Sequence, residues 1–223
     1  MIVQIYEITS AEEAAALCKL GVDHIGVLVG PGEFPREQPI GRAAGIFAGL
    51  SGGAKRCALS LSGDVSVISD IARNLSPDIL HLGAAPERLG LEKVRELKRL
   101  LPALPIIRSI PVIDESSIEL ARLYDGIADT LLLDSCDPAD RQIGALGVEH
   151  NWDLDRRIVE TVRIPVIIAG GLGPENVLSA IRTSRPAGVD SKTKTDNPDG
   201  SHTKDVARVA AFVEAARQGA AGV

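Results

Sequence analysis

Short runs of apolar residues recur along the chain, and segments with a helical repeat separate them. Eight runs have the length of a strand, and they cover residues 2–8, 24–29, 56–61, 78–82, 105–110, 130–133, 165–169 and 188–189. Between the runs, apolar residues recur every three or four positions, as at Leu91, Val94, Leu97 and Leu101, which predicts amphipathic helices. A unit of one strand followed by one helix is therefore repeated eight times.

Three of the predicted helices carry a start signal of their own. Ser10 and Asp64 each stand just before a helical segment, where a short polar side chain can accept a backbone N–H of the first turn. Pro174 follows Gly173 and is expected just inside the next helix, where its missing N–H costs nothing.

The fold class follows from strands that are apolar on both faces, such as residues 131–133 and 166–168. Strands of this kind belong in a parallel sheet that helices cover on the outside. Eight such units predict a compact (β/α)8 barrel, one domain over residues 1–223. The alternative is a doubly wound open sheet, which would place a glycine-rich turn after the first strand, but residues 7–10 contain no glycine.

Composition and charge exclude several classes of function. The chain has 223 residues, a formal charge of −6 and only 3% aromatic residues, which argues against a nucleic-acid partner. No apolar run has the roughly 20 residues of a membrane span. The three cysteines form no CxxC pair, which argues against a disulfide framework or a zinc site. The first residues alternate like a strand rather than a signal peptide, so we expect a cytoplasmic protein without a membrane partner.

Two loops at the end of the chain are suited to a phosphate group. Gly170 and Gly171 follow the seventh strand, where glycine lets the backbone approach an anion and a helix start supplies free N–H groups. The loop after the eighth strand contains Ser191, Lys192, Thr193 and Lys194. In a (β/α)8 barrel these two loops lie side by side, so we predict phosphate binding there. The alternatives are a tight turn without a ligand and a solvated mixed-charge loop; Asp190, Asp196 and Asp199 are expected to face elsewhere.

Asp134 ends a strongly apolar strand, where a carboxylate is costly unless it is solvated or paired. Such a setting suits a general acid, although a strand-end or N-cap carboxylate is an equal alternative. Arg36 and Arg108 could reach the mouth of the barrel as substrate anchors, or lie on the surface. The four histidines lack the close spacing of metal ligands, so no metal site is predicted.

Several segments together resemble the phosphoribosylanthranilate isomerase family over nearly the whole chain. They are Phe34-Pro35-Arg36, Leu131-Leu132-Leu133-Asp134-Ser135, Ile168-Ala169-Gly170-Gly171-Leu172, Pro174-Glu175-Asn176-Val177, Gly188-Val189-Asp190 and Lys204-Asp205. The resemblance implies a (β/α)8 barrel that catalyses an Amadori rearrangement in tryptophan synthesis, with a phosphosugar substrate and without a cofactor. It also implies that Asp134 is the general acid, Arg36 the substrate anchor, and the loops at Gly170, Gly171 and residues 191–194 the phosphate site.

The first strand departs from the family. The usual Lys-Ile-Cys-Gly-Ile-Thr is here Gln4-Ile5-Tyr6-Glu7-Ile8-Thr9, so Tyr6 stands where the family has its general-base cysteine. Tyrosine is a poor base at neutral pH. Glu7 becomes a candidate base, although strand alternation points it away from the face of Tyr6 unless the strand has already ended.

Three further positions also depart from the family pattern. His81 begins the run that replaces Gln-Leu-His-Gly, Arg108 replaces a lysine, and Gly144-Ala145-Leu146-Gly147 replaces a glycine-rich loop. Tyr6, His81 and Arg108 are expected to contact substrate. Two hypotheses follow: an isomerase of this family with an altered base, or a diverged sugar-phosphate-binding barrel with another reaction or none. A homodimer is possible in either case.

Overall fold

The computed structural model describes residues 1–136, 143–144 and 151–221. The strands are β1 (Ile2–Ile5), β2 (His24–Leu28), β3 (Lys55–Ser60), β4 (Ile79–Leu82), β5 (Ile106–Pro111), β6 (Thr130–Asp134), β7 (Val166–Ile168) and β8 (Gly188–Ser191). The helices are α1 (Ala11–Lys19), α2 (Ile40–Phe47), α3 (Val65–Leu75), α4 (Leu91–Leu100), α5 (Ser116–Tyr124), α6 (Trp152–Thr161), α7 (Val177–Ser184) and α8 (Val206–Ala221), with a short 3₁₀ helix at Thr193–Thr195.

The eight strands are all parallel and close into a barrel in sequence order, with β1 hydrogen-bonded to both β2 and β8. The predicted (β/α)8 barrel is confirmed, and the open doubly wound sheet is wrong. Closure places the carboxyl ends of all strands on one rim, where the βα loops can combine their side chains in one site.

Two layers of apolar side chains hold the barrel together. The larger layer lies between the strands and the helices, and it includes the buried residues Val94 and Leu97 of α4 and Val209 of α8. A smaller cluster fills the barrel interior with Tyr6, Cys57, Ile79, Ile107, Leu132, Ile167 and Ala169. The strands are therefore apolar on both faces, as their sequences indicate.

The helix starts agree with the sequence at two of three positions. Ser10 accepts the N–H of Glu13 at 3.1 Å, and Asp64 accepts that of Ser66 at 2.7 Å. The prediction for Pro174 is wrong, because α7 begins at Val177. The side chain of Asn176 bonds the backbone of Gly171 and Gly173 and closes a turn there, which delays the helix.

Strand β1 ends at Ile5, earlier than the apolar run indicates. Glu7 has a φ of 60°, so its side chain is released from strand alternation. None of the described helices has both the length and the apolar character needed to cross a membrane.

Candidate active site

A cavity of about 440 Å³ opens at the carboxyl ends of the strands. One wall is apolar and is formed by Leu28, Phe34, Leu59, Leu61 and Ala84. Gly83 belongs to this wall, and a side chain there would collide with Leu59 and Leu61 at 2.7–2.8 Å, so glycine keeps the wall open. The cavity can therefore accept a flat apolar group beside polar chemistry.

Tyr6 forms the floor of this cavity, and its ring lies in the barrel interior. The ring fits because residue 26 is glycine: a Cβ there would lie 2.1 Å from Cδ1 of Tyr6. The hydroxyl of Tyr6 lies 2.9 Å from Sγ of Cys57 and 2.6 Å from Nδ1 of His81. Burial, and then the nearby Cys57, raise the pKa of Tyr6 well above its usual value. Tyr6 is therefore a neutral, fully hydrogen-bonded group rather than a base.

His81 continues this chain of hydrogen bonds, since its Nε2 lies 2.7 Å from Oγ of Ser109. Burial and the positive charge of Arg108 lower the pKa of His81 to about 3, so the imidazole is neutral. Burial raises the pKa of the Cys57 thiol to about 12. His81 does line the cavity, but both ring nitrogens already have partners within the protein.

Glu7 lies at the rim between two cations. Its carboxylate is 2.8 Å from Nε of Arg36 and 3.4 Å from Nζ of Lys192. All three residues line the cavity. Glu7 therefore bridges the loop that carries Arg36 and the loop that carries Lys192.

The loop that carries Phe34 and Arg36 is held by Glu37. One carboxylate oxygen of Glu37 accepts the N–H groups of Gly32, Glu33 and Phe34 at 2.8–3.3 Å. A side chain at position 30 would occupy the place of that carboxylate. Arg36 itself has a φ of 68°, and this turn directs its guanidinium to Glu7.

Asp134 ends β6 and contacts both the main cavity and a smaller one of about 20 Å³. Its Oδ1 accepts the N–H of Ser135 at 2.8 Å. Gly144 lies so close that an added Cβ would be 2.2 Å from Oδ2 of Asp134. The predicted general acid is thus half-buried at the mouth. Of the loop at 144–147, only Gly144 lies within the described residues.

The smaller cavity is lined by the residues predicted to bind phosphate, namely Gly170, Gly171, Ser191, Lys192, Thr193 and Lys194. Gly170 and Gly171 have φ values of 75° and 64°, which glycine adopts without strain. The hydroxyl of Ser191 donates to the carbonyl of Leu172 at 2.7 Å and ties the two loops together. The structure therefore brings these two loops together around one small hollow, which two lysines and two aspartates also line.

The expectation that Asp190 faces away is wrong. Its side chain is 7% exposed and lines both cavities. Nε2 of Gln4 donates to Oδ1 of Asp190 at 3.2 Å. Burial and the charge of Asp134 raise the pKa of Asp190 to about 8. Asp196, by contrast, is ion-paired with Lys204, and Asp199 is exposed.

Arg108 does not lie at the mouth, and its predicted contact with substrate does not fit its position. Its side chain is fully buried outside the barrel wall, 5.2 Å above the ring of Tyr124. The guanidinium donates to the carbonyls of Leu82, Ala84 and Leu89 at 2.7–3.2 Å. Arg108 therefore fixes the loop between β4 and α4.

That loop carries Arg88, a cavity residue that no sequence motif singles out. Cζ of Arg88 lies 5.0 Å from the ring centroid of Phe34. Within the described residues, Arg88 forms no ion pair. No group of three or more His, Cys, Asp or Glu side chains that could hold a metal occurs among residues 1–136, 143–144 and 151–221.

Comparison with known proteins agrees with this geometry. The family model described as N-(5'phosphoribosyl)anthranilate (PRA) isomerase matches residues 61–215. A protein of Haloferax volcanii named N-(5'-phosphoribosyl)anthranilate isomerase is 32% identical over 216 residues, which are 96% of this chain and 92% of the relative. A protein of the same name from Rhodospirillum rubrum is 33% identical over 227 residues, 98% of each chain.

Solved structures show the same architecture. Phosphoribosylanthranilate isomerase from Thermotoga maritima superposes with a TM-score of 0.82 at 25% identity, covering 98% of this chain and 100% of that one. A phosphoribosyl anthranilate isomerase in complex with reduced 1-(o-carboxyphenylamino)-1-deoxyribulose 5-phosphate gives a TM-score of 0.80 at 24% identity, over 98% of this chain and 100% of that one. The chain belongs to the phosphoribosylanthranilate isomerase family.

Proposed function

We propose that this chain catalyses the Amadori rearrangement of N-(5-phosphoribosyl)anthranilate to the corresponding 1-deoxyribulose 5-phosphate. The observation that carries the proposal is the meeting of two unlike cavities. One is small and lined by glycines and by two lysines; the other is larger and partly apolar, and both contact Asp134. A substrate with a phosphate at one end and an aryl group at the other would place its ribose beside that carboxyl.

The phosphate end would rest on the backbone of Gly170 and Gly171 near Lys192 and Lys194. Desolvation lowers the pKa of Lys192, which is only 12% exposed, and the nearby carboxylate of Glu7 opposes that effect. A bound phosphate dianion would also favour the charged amine. Helix-start N–H groups and lysines together provide the usual chemistry of a phosphate site.

The aryl end would lie against Phe34, Leu59 and Leu61, which form the apolar wall. Its carboxylate needs a cation. Arg36 is within the cavity but already shares its charge with Glu7, whereas Arg88 stacks on Phe34 without an ion pair to another described residue. We therefore assign Arg88, alongside Arg36, to the carboxylate of the aryl group.

Asp134 would act as general acid on the ribose ring oxygen, because it is half-buried at the junction of the cavities. The second candidate function is a sugar-phosphate-binding barrel with another reaction or none. One observation favours it: Tyr6, at the position of the family's cysteine, has its hydroxyl engaged by Cys57 and His81.

A turnover assay separates these two functions. Purified protein is mixed with freshly generated phosphoribosylanthranilate, and loss of substrate fluorescence is followed for the unaltered chain, Asp134→Asn, and Asp70→Asn on the outer helix α3 as a matched control. The isomerase predicts turnover in the first and third proteins, and protection of all three against heating by inorganic phosphate. Phosphate protection without turnover in any of them would favour the binding barrel.

The location and assembly of the protein are also proposals. Cys18, Cys57 and Cys136 are free thiols, as in a reducing cytoplasm. The phosphoribosylanthranilate isomerase of Thermotoga maritima is dimeric, which supports a homodimer here. Analytical ultracentrifugation tests the homodimer, because a single species near the 23.5 kDa of one chain would contradict it.

A further inference from the structure

The rearrangement needs a proton acceptor as well as an acid, and the groups around Tyr6 do not provide one. The Tyr6 hydroxyl and both nitrogens of His81 are engaged in hydrogen bonds inside the barrel. The Cys57 thiol is fully buried beneath them. Glu7 is held between Arg36 and Lys192, at the rim rather than at the junction of the cavities.

Asp190 lies at that junction. Asp190 is the residue of β8 that pairs in register with Gln4 of β1. It lines both the smaller cavity and the main cavity. Asp134 on β6 contacts the same two cavities, so the two carboxyl groups border the space where the ribose would lie. The amide of Gln4 holds Asp190 at 3.2 Å, and Gln4 is in turn bonded to Nδ1 of His24 at 2.9 Å.

We propose that Asp190 accepts the hydrogen of ribose C2, so that Asp134 and Asp190 act as an acid–base pair. This inference rests on the proposed function and assigns the acceptor that the altered first strand removes.

The steps balance without any co-reactant. Asp134 gives a proton to the ring oxygen as the C1–O bond breaks and the nitrogen lone pair forms the C=N bond. Asp190 then takes the C2 hydrogen, the C–H electron pair forms a C1=C2 bond, and the C=N electrons return to nitrogen. The enol hydroxyl at C2 returns a proton to Asp134 as the C2=O bond forms, and Asp190 delivers its proton to C1. Both carboxyl groups end as they began.

The charges around Asp190 suit a pair that shares one proton. Asp134 on β6, Tyr6 after β1 and Cys57 on β3 face Asp190. The hydrogen bond from Gln4 and the positive charge of Lys204, before α8, both oppose the rise in its pKa. Burial and the charge of Asp134 raise the pKa of Asp190 to about 8, so one carboxyl of the pair stays protonated up to that pH. The raised pKa places that proton on Asp190 before substrate binds, so the reaction starts once the proton has passed within the pair to Asp134, which leaves Asp190 as the acceptor.

The test compares Asp190→Asn with Glu7→Gln in the turnover assay. For Asp190→Asn we expect kcat to fall about 10²–10⁴-fold, the range for a lost general base, with KM changed only a few-fold and phosphate protection retained. Glu7→Gln should act mainly on KM, since it releases Arg36 and Lys192. In the unaltered chain, kcat/KM should fall above about pH 8, where the pair loses its last proton.

Chemical rescue distinguishes a proton acceptor at position 190 from a residue with only a structural role. Asp190→Ala leaves space at the cavity, and added formate should restore part of its turnover if the missing group is a proton acceptor. The inference is overturned if Asp190→Asn keeps kcat within tenfold of an active parent, or if Glu7→Gln loses kcat as completely with KM unchanged. If the unaltered chain itself has no turnover, the proposed function fails, and the acceptor role fails with it.

Discussion

Asp190 should also limit the stability of the fold, and the direction of the effect is specific. Burial and the charge of Asp134 raise its pKa from 3.8 to about 8. A carboxyl group with a raised pKa binds its proton more tightly in the folded than in the unfolded chain. Its contribution to stability is therefore full below pH 4 and is lost as the pH rises to about 8.

The size of the effect follows from the same two values. A shift of about four pKa units at ~1.4 kcal/mol each gives an upper limit of about 6 kcal/mol. Because the two cavities admit water beside the carboxyl and Asp134 shares the proton, we expect Asp190→Asn to raise the free energy of unfolding by ~2–3 kcal/mol at pH 9. At pH 4 the gain should be near zero, since the asparagine oxygen can still accept from Gln4.

Urea denaturation of both proteins between pH 4 and 9 measures this difference. Asp78→Asn is a control of opposite sign: hydrogen bonds from Arg56 lower the pKa of Asp78, so its stabilisation is present at neutral pH and lost as the pH falls. If the free energies of unfolding of the unaltered chain and Asp190→Asn differ by the same amount at every pH, burial does not raise the pKa of Asp190 as described. A gain in stability joined to a loss of turnover would identify a site that is costly to fold and retained for function.

Four further outcomes are expected. Arg108→Lys should lower the free energy of unfolding by about 3 kcal/mol in urea, because a buried charge loses most of its three carbonyl contacts. Tyr6→Phe should cost about 1–3 kcal/mol, since it leaves the buried hydrogen-bond chain without its central hydroxyl; an unchanged urea midpoint would contradict this. Reversing the charge of Lys192 and Lys194 should abolish the rise in melting temperature that inorganic phosphate produces, and retained protection would exclude the phosphate site. Arg88→Gln should raise KM about tenfold for the anthranilate substrate and leave KM unchanged for an aniline analogue without the carboxylate; equal effects on both would contradict its assignment.

The barrel could be predicted from the sequence because eight strands, apolar on both faces, alternate with helical segments. The same property hides the orientation of individual side chains. In β5 the consecutive residues Ile106 and Ile107 are both apolar, so the sequence does not say which parity faces inward, and Arg108 proves to face the helices. In β8 Val189 packs under the helices, which turns Asp190 into the barrel. The register of the strands around the closed sheet decides which face of the barrel wall Arg108 and Asp190 occupy.

The local backbone geometry outside the strands also could not be predicted from the sequence. The apolar run of the first strand continues to Ile8, yet the strand ends at Ile5 and Glu7 turns to φ 60°. The residues that gather at the rim were easier to predict, because Asp134 ends β6, Gly170 and Lys192 come within two residues of the ends of β7 and β8, and a barrel gathers those ends at one rim.

In the proposed assignment, the altered first strand gives up a chemical role to a neighbouring strand of the same site. The ring of Tyr6 lies in the barrel interior, where the missing side chain of Gly26 leaves room for it. The hydroxyl of Tyr6 is hydrogen-bonded to His81. β1 and β8 are hydrogen-bonded neighbours, and Gln4 pairs with Asp190 directly across that junction. Adjacent strands are only ~4.8 Å apart, so a carboxyl on β8 can border the cavity next to the end of β1, although Asp190 lies two residues before the level of Tyr6. The cost of losing one acceptor is therefore small where the next strand already carries another.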